Sequence, residues 1–362
     1  MKIAVLGAGR VGSIIALDLA RNHNVTSIDS DQTKLQALKE RNPAITVDVK
    51  ELRNVKAYGT WIGEYDLVVS AVPGYMGYAT LEAIIKAGKN VVDISFFPED
   101  PFPLHGLASI KDVTAVVDCG VAPGLSNMIA GHVSTKVFYM NNFTCYVGGL
   151  PKVRTKPFEY KAPFSPIDVI EEYTRPSRLV EDRRVVVRPA LSDVEQIEAP
   201  GIGTLEAFNT DGLRTLLTTM SHVANMKEKT LRYPGHADMI KFLFNTGLLN
   251  GNLDILFEKW QLGPDDEDFT YMKIITEGLY KGEHVKRTYT VYDQYDKENK
   301  IHSMSRTTGY TCTAVVNAIA DSILDRKGIV PPEDIGSHSE SFDYVIDYLK
   351  SRNVIIDIQN ED

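Results

Sequence analysis

The chain opens on a short apolar run, Lys2–Leu6, which breaks into Gly7-Ala8-Gly9-Arg10-Val11-Gly12 and then into apolar positions at helical spacing through Ile14, Ile15, Leu17, Leu19 and Ala20. This order reads as strand, tight turn and helix. Val25–Ile28 is a second buried strand ending at Asp29, and Asp31 is placed to cap a helix through Leu35 and Leu38. Leu67–Val72, Asn90–Ile94 and Thr114–Val117 follow as three more apolar strands, with a helix through Thr80–Ala87 between the first two. Strands that alternate with helices predict an α/β fold with a doubly wound parallel sheet.

The texture changes after about Asp118. Phe143–Val147, Val185–Arg188, Thr204–Phe208, Met272–Glu277 and Val285–Tyr292 read as strands, many alternating in polarity, among helices near Leu213–Met220 and Met239–Leu243. A sheet covered by helices on one side, an α+β arrangement, is expected there. The last stretch returns to helix at Cys312–Leu324 and Phe342–Arg352, expected to pack back on the first domain. The predicted organisation is therefore 1–120, 121–310 and 311–362, and a length of 362 residues suits two domains of unequal function.

Composition narrows the function classes. Hydrophobic residues at 43% and charged residues at 24% are the balance of a soluble globular protein. A formal charge of −9 argues against nucleic acid as a partner, since phosphate backbones call for a concentrated basic face. No apolar run reaches transmembrane length and no leader precedes the first strand, so neither a membrane nor an export route is expected, and the cytoplasm is the expected compartment. Cys119, Cys145 and Cys312 are far apart, and no metal site is expected of them.

The glycine turn carries the first chemical reading. Between a strand and a helix, Gly7 permits the tight turn, Gly9 admits a pyrophosphate, and Gly12 lets helix and strand pack closely, which is the front of a Rossmann domain. Asp29 falls where a carboxylate accepts hydrogen bonds from the adenosine ribose and repels a 2′-phosphate, so NAD is expected over NADP. Lys34 and Arg10 lie near enough in sequence to answer a phosphate. Asp48 stands either beside adenine or as a solvated loop acid. Ala71, Val72 and Pro73 close a strand with small residues, where ligands bind in open parallel sheets. Arg10, Val11, Ser95 and Val121 complete the expected cofactor-binding set.

A nicotinamide cofactor implies hydride transfer, and the protein must orient a substrate and manage a proton. Asp93 and Asp118 each end a strand of the first sheet. Either serves as proton acceptor or substrate-ammonium partner, or simply caps the turn after it. Arg175 precedes a proline at a helix end, and Arg232 sits between apolar residues. Each is a candidate to grip an α-carboxylate or to form a structural ion pair. His236 reads as a base, a substrate contact or a buried hydrogen-bonded ring. Tyr160, Lys161 and Tyr173 either line the pocket or pack.

Several segments are similar to the saccharopine dehydrogenase and reductase family: Asp118-Cys119-Gly120-Val121-Ala122-Pro123-Gly124-Leu125-Ser126-Asn127, Tyr146-Val147-Gly148-Gly149-Leu150-Pro151, Glu206-Ala207-Phe208-Asn209-Thr210-Asp211-Gly212-Leu213, Thr230-Leu231-Arg232-Tyr233-Pro234-Gly235-His236, and Ser303-Met304-Ser305-Arg306-Thr307-Thr308-Gly309-Tyr310. Within it, Asp93-Ile94-Ser95-Phe96-Phe97-Pro98-Glu99-Asp100-Pro101 and Ile170-Glu171-Glu172-Tyr173-Thr174-Arg175-Pro176 most resemble the L-lysine 6-dehydrogenases. The resemblance implies a Rossmann domain joined to an α+β catalytic domain, a homodimer, and NAD. It also implies oxidative deamination of an amino-acid substrate at the ε-carbon of lysine, with the product cyclising to Δ1-piperideine-6-carboxylate.

Hydride leaves that carbon only from the neutral amine. Deprotonating an ammonium of pKa about 10.4 at pH 7 costs about 4.6 kcal/mol. Activity is therefore expected to rise into the alkaline range, with Asp93 or Asp118 passing the proton to water. Two other functions stay open. One is saccharopine dehydrogenation or a related reductive condensation, for which Arg154, Arg175, Arg178, Arg214 and Arg232 could serve three carboxylates. The other is a dinucleotide-binding protein without catalysis.

Overall fold

The computed structural model describes residues 1–249 and 252–361. The chain divides into two compact units, the first made of Met1–His132 with Ser305–Asn353 and the second of Val133–Met304 with Val354–Asp362.

In the first unit, β1 (Lys2–Leu6), β2 (Asn24–Asp29), β3 (Thr46–Val49), β4 (Leu67–Ser70), β5 (Asn90–Asp93) and β6 (Thr114–Val116) form one parallel sheet with a late strand, Gly328–Val330. The order runs from the late strand through β6, β5, β4, β1 and β2 to β3, so β1 is central. Ile3, Ala4, Val5 and Leu6 are all fully buried, as a strand covered on both faces requires. The first helix, Arg10–Leu19, buries Ile14, Ile15 and Leu19. The next, Gln32–Arg41, starts where expected, because the Asp31 side chain accepts from the amides of Thr33 (2.9 Å) and Lys34 (3.2 Å).

The returning segment is tied to this unit by one buried carboxylate. Asp18, on the first helix, accepts from Arg352 Nε (2.9 Å), Tyr348 Oη (2.8 Å) and Thr313 Oγ1 (2.7 Å). Arg352 also lies over the Tyr348 ring, 3.4 Å from its centroid. The sequence suggests a helix from Cys312, yet the helix starts at Ser303 and ends at Ala320. Its early turns bury hydroxyl residues, Ser305, Thr307, Thr311 and Thr313, so a search for apolar spacing passes over them. Thr311 Oγ1 returns its hydrogen bond to the Thr307 carbonyl at 2.8 Å, which makes that burial tolerable.

In the second unit, β7 (Tyr139–Pro151), β8 (Ser177–Glu181), β9 (Arg184–Arg188), β10 (Glu195–Ala199), β11 (Gly203–Asn209), β12 (Asn225–Arg232), β13 (Asp268–Tyr280) and β14 (Glu283–Gln294) build a mixed sheet. β7 runs parallel to β12 and antiparallel to β13. The terminal strand Ile356–Glu361 pairs antiparallel with β14, so the chain ends on this sheet rather than in helix. A core of Tyr160, Val169, Tyr173, Phe208, Ile240 and Trp260 gathers beneath the helices Pro166–Thr174, His236–Asn245 and Asp254–Lys259. Of the helix suggested near Leu213–Met220 only Leu216–Thr219 forms. Arg214 has a φ of 52° there, a left-handed conformation that a helix does not tolerate.

Candidate active site

The glycine turn fits a dinucleotide pyrophosphate. Gly7 has a φ of +100°, and a Cβ there would lie 2.5 Å from the Ala71 carbonyl oxygen. A Cβ on Gly12 would lie 2.0 Å from the Gly7 carbonyl oxygen. Gly9, the extended N-cap of Arg10–Leu19, has nothing within 4 Å of its Cβ position, and no side chain caps that helix. The amides at Arg10, Val11 and Gly12 thus begin a helix with open space before them, which is an anion cradle. Ala71, Val72 and Pro73 run past it from the end of β4, with Ala71 N–H donating to Leu6 (2.9 Å).

Asp29 is fixed against the cradle: its carboxylate accepts from Ala8 N–H (2.7 Å) and Asp31 N–H (2.9 Å). Lys34 pairs with Asp31. Asp48, one strand over on β3, pairs with Lys50 at 2.8 Å, which favours the loop-acid reading. Val121 is buried in the turn that Gly120 and Gly124 close.

The two strand-end acids are both buried. Asp93 is 0% exposed, and its oxygens accept from Ser95 Oγ (2.7 and 2.8 Å) and Ser95 N–H (3.1 Å). These bonds are those of the second reading of Asp93, a cap on the turn after β5, with Ser95 itself buried. Burial pushes the Asp93 carboxyl up to about 7, against the Ser70 and Ser95 hydroxyls and with the charge of Asp118. Asp118 begins the next connection in a left-handed conformation (φ 52°), and Cys119 N–H donates to the Asp93 carbonyl at 2.9 Å.

A stability consequence follows from this shift. An acid of unfolded pKa about 3.9 and folded value about 7 binds its proton more tightly when folded. The associated stability is present below about pH 4 and lost as pH rises through about 7. Asp93→Asn is expected to remove one proton's worth of that decline, read as unfolding midpoints between pH 4 and 8. An unchanged pH dependence would contradict it.

In the second unit, Arg232, Tyr160, Tyr173 and His236 meet in one buried cluster. Arg232 donates from Nε to Tyr173 Oη (2.9 Å), from Nη2 to Glu172 Oε2 (2.8 Å) and Tyr160 Oη (3.3 Å), and from Nη1 to the Leu231 carbonyl (2.9 Å). Nε, Nη1 and Nη2 of Arg232 thus each donate inside the protein, as its structural ion-pair reading expects. Tyr173 Oη, already accepting from Arg232, donates to His236 Nε2 (3.0 Å), which sets the His236 proton on Nδ1 toward the Phe158 carbonyl (3.4 Å). Burial, and then the Arg232 charge, lowers His236 to about 3. Its contacts are those of the buried, hydrogen-bonded ring among its three readings. Tyr160 and Tyr173 pack edge-on against Trp260. Lys161 pairs with Asp266.

Arg175 is different. It stands at the C-terminal end of Pro166–Thr174 and donates to Glu171 Oε2 at 3.2 Å. Burial, and next the neighbouring charge of Arg214, lowers its pKa, opposed by Glu171 and Asp211. Of the other arginines, Arg154 pairs with Glu159 and Arg178 takes Asp211 with two nitrogens (2.9 and 2.7 Å).

Sequence reasoning missed Glu172 and Glu206. Glu206 accepts from Gly235 N–H (2.8 Å) and Ala237 N–H (2.7 Å), holding the helix start that carries His236. The signal for Glu172 was available, since it adjoins Tyr173, which the sequence reading did single out. Glu206 lies in a strand segment buried on both faces, where alternation gives no warning. Among the described residues no group of His, Cys, Asp or Glu is placed to hold a metal ion. Among them no helix is long and apolar enough to cross a membrane.

A parallel sheet with this cradle and an acidic β2 end defines a nicotinamide-dinucleotide oxidoreductase. The comparisons go one step further: residues 3–116 match the family model "Saccharopine dehydrogenase NADP binding domain" and residues 120–355 match "Saccharopine dehydrogenase C-terminal domain". The chain belongs to the saccharopine dehydrogenase family. It is 25% identical over 264 residues to the mitochondrial alpha-aminoadipic semialdehyde synthase of Rattus norvegicus, covering 69% of this chain and 28% of that protein. It is 23% identical over 274 residues to the saccharopine dehydrogenase [NADP(+), L-glutamate-forming] of Saccharomyces cerevisiae, covering 71% of this chain and 60% of that one. The chain thus spans between about a quarter and three fifths of the length of these relatives. In fold it is similar to the apo L-Glu-forming saccharopine dehydrogenase of Saccharomyces cerevisiae, with a TM-score of 0.81 at 17% identity and 100% of both chains covered.

Proposed function

We propose that the protein oxidises the Cε–N bond of a lysyl skeleton with a nicotinamide dinucleotide, releasing an amine and leaving the semialdehyde. The observation that carries this reading is the Gly7–Gly12 dinucleotide cradle in a chain whose family models together span both units. The bound dinucleotide supplies the hydride acceptor. The Gly7–Gly12 cradle of the first unit would hold its pyrophosphate, Arg175 of the second unit is the arginine assigned to an α-carboxylate, and the proton released from the amine passes to water. The hydride leaves Cε, the nitrogen lone pair closes the C=N bond, water adds at Cε, and the C–N bond breaks.

The leaving amine is glutamate on the first reading, saccharopine dehydrogenation, which the names of the relatives favour. On the second it is ammonia, from lysine itself. That reading is favoured by the internal pairing of Arg154, Arg178 and Arg232, which leaves few guanidiniums for three carboxylates. Turnover with saccharopine against lysine, each followed by amino-acid analysis for glutamate and ammonia, separates the two.

For the cofactor, the family description and the yeast relative name NADP, whereas the fixed Asp29 carboxylate supports NAD. Asp29→Ser is expected to shift the ratio of kcat/KM for NADP over NAD upward by about tenfold or more, the scale of removing one charge from a phosphate site. A ratio that does not move would assign the choice elsewhere. The working assembly on this reading is a homodimer, which light scattering tests.

A further inference from the structure

The helix that begins the anion cradle, Arg10–Leu19, is gripped along its length by the returning segment of its own unit. Gly309, on Ser303–Ala320, approaches its middle: a Cβ there would lie 3.5 Å from Ile14 Cγ2 and 3.6 Å from Ile15 Cγ1. One turn further along both helices, Thr313 Oγ1 donates to Asp18 Oδ2 at 2.7 Å. Residues 14 and 18 share a face, as do 309 and 313, so the two helices run side by side in the same direction with two matched contacts. Tyr348 and Arg352, from Ser339–Lys350 and the turn after it, close on the same Asp18 carboxylate. Behind them Asn317 Nδ2 donates to Tyr348 Oη at 3.1 Å, and Asn317 Oδ1 meets His23 Nε2 at 3.0 Å, just past the end of the cradle helix.

Ile15 and Leu19 are buried and hold the helix to the core, but apolar contact is non-directional. Direction comes from bonds of fixed geometry, and Asp18 takes these from Thr313, Tyr348 and Arg352. A buried carboxylate so paired adds little stability over apolar packing, and its best-attested use is to fix one arrangement. Asp18 is 4% exposed and lies about 12 Å along the helix axis from Arg10. At the other end, Gly12 comes so near the Gly7 carbonyl that a side chain there would clash. The helix is thus a short rod held at both ends, with the amides of Arg10, Val11 and Gly12 in its first turn. We propose that Asp18 is a positioning residue for the dinucleotide: clasped by Thr313, Tyr348 and Arg352, it sets the tilt of Arg10–Leu19 and so the aim of those amides. The inference rests on the assignment of the Gly7–Gly12 cradle to the pyrophosphate. It adds that Asp18, Tyr348 and Arg352 act on dinucleotide affinity through the helix. By reciprocity, a bound dinucleotide tightens the clasp.

The test is fluorescence titration of the full chain with reduced NAD and reduced NADP, at a temperature where far-ultraviolet circular dichroism shows each variant folded. Asp18→Asn keeps the volume, removes the charge, and is expected to weaken binding about tenfold. Thr313→Val deletes one hydroxyl, is expected to weaken binding about threefold, and serves if Asp18→Asn does not fold. Arg352→Met is expected to match Asp18→Asn and to add nothing in its background, as for residues acting through one contact. Hydrogen exchange gives the reciprocal readout: the dinucleotide is expected to slow exchange at the amides of residues 345–352 in the parent, and not in Asp18→Asn. A clasp that serves stability alone would lower the unfolding midpoint of these variants and leave their affinities within about twofold of the parent, which would overturn the inference. Additive losses in Asp18→Asn and Arg352→Met, or no slowing of exchange at 345–352 in the parent, would overturn it too. Gly12→Val is the reference for the cradle. Weakened binding there with unchanged binding in the clasp variants overturns the role of Asp18 alone, whereas unchanged binding in Gly12→Val overturns the cradle assignment and the inference together.

Discussion

Arg232→Ala is expected to destabilise the second unit by about 3–5 kcal/mol, the cost of leaving a buried charge without its partner. The substitution strands the Glu172 carboxylate and removes the donor from both Tyr173 Oη and Tyr160 Oη. It also empties the space beneath the Tyr160 ring, whose centroid lies 4.3 Å from the guanidinium carbon. At about 2–4 °C per kcal/mol for a unit of this size, the unfolding midpoint should fall by about 6–20 °C. Arg232→Met, which fills volume without charge, should recover little of this, because Glu172 remains unpaired. Calorimetry decides: a midpoint within about 2 °C of the parent would mean that the cluster is solvated and that Arg232 is available to a substrate after all.

Dinucleotide binding depends most sharply on Gly12→Val. Its Cβ would start 2.0 Å from the Gly7 carbonyl oxygen, a backbone atom that cannot swing aside as a side-chain tip would. Either the turn opens or the helix Arg10–Leu19 retreats, and both remove amides from the pyrophosphate. A loss of about a hundredfold in affinity or more is expected, equivalent to about 2.7 kcal/mol. Titration of the reduced dinucleotide, read by its fluorescence, measures this directly. An affinity within about threefold of the parent would place the pyrophosphate elsewhere.

How much of this was legible in the sequence differs between the two units. In the first unit, β1 and β4 to β6 are continuous apolar runs, the glycine spacing names its own turn, and Asp31 announces a cap. There, local chemistry and fold point the same way. The second unit is less legible because its determinants are not local. The left-handed residue Arg214 halts a helix that periodicity supports. Hydroxyl residues bury the early turns of Ser303–Ala320. The terminal strand is defined only by its register on β14. The domain limits shifted for the same reason: residues 121–132 and 305–310 belong to the first unit by packing.

The candidate site was legible as a set of residues and not as a set of roles. Arg232, Tyr160, Tyr173 and His236 were singled out by their motifs and do come together, but as a closed hydrogen-bonded core. Whether an arginine meets a ligand or a buried glutamate depends on which side of a helix faces inward. Spacing does not encode that when Glu171, Glu172 and Tyr173 are all plausible inner residues. Asp93 illustrates the same limit. A strand-end acid in a parallel sheet reads equally as proton acceptor or turn cap, and only the fold shows the hydroxyl two residues later turning back onto it.

The central claim is oxidation of a lysyl Cε–N bond with a nicotinamide dinucleotide. The most direct measurement is the appearance of reduced dinucleotide when the purified protein is given saccharopine or lysine with NAD and NADP in turn, across neutral to alkaline pH. The account predicts reduction with at least one of the two amines, stoichiometric semialdehyde, and a rate that climbs with pH as the amine loses its proton. Tight dinucleotide binding with no reduction from either amine at any pH would contradict it.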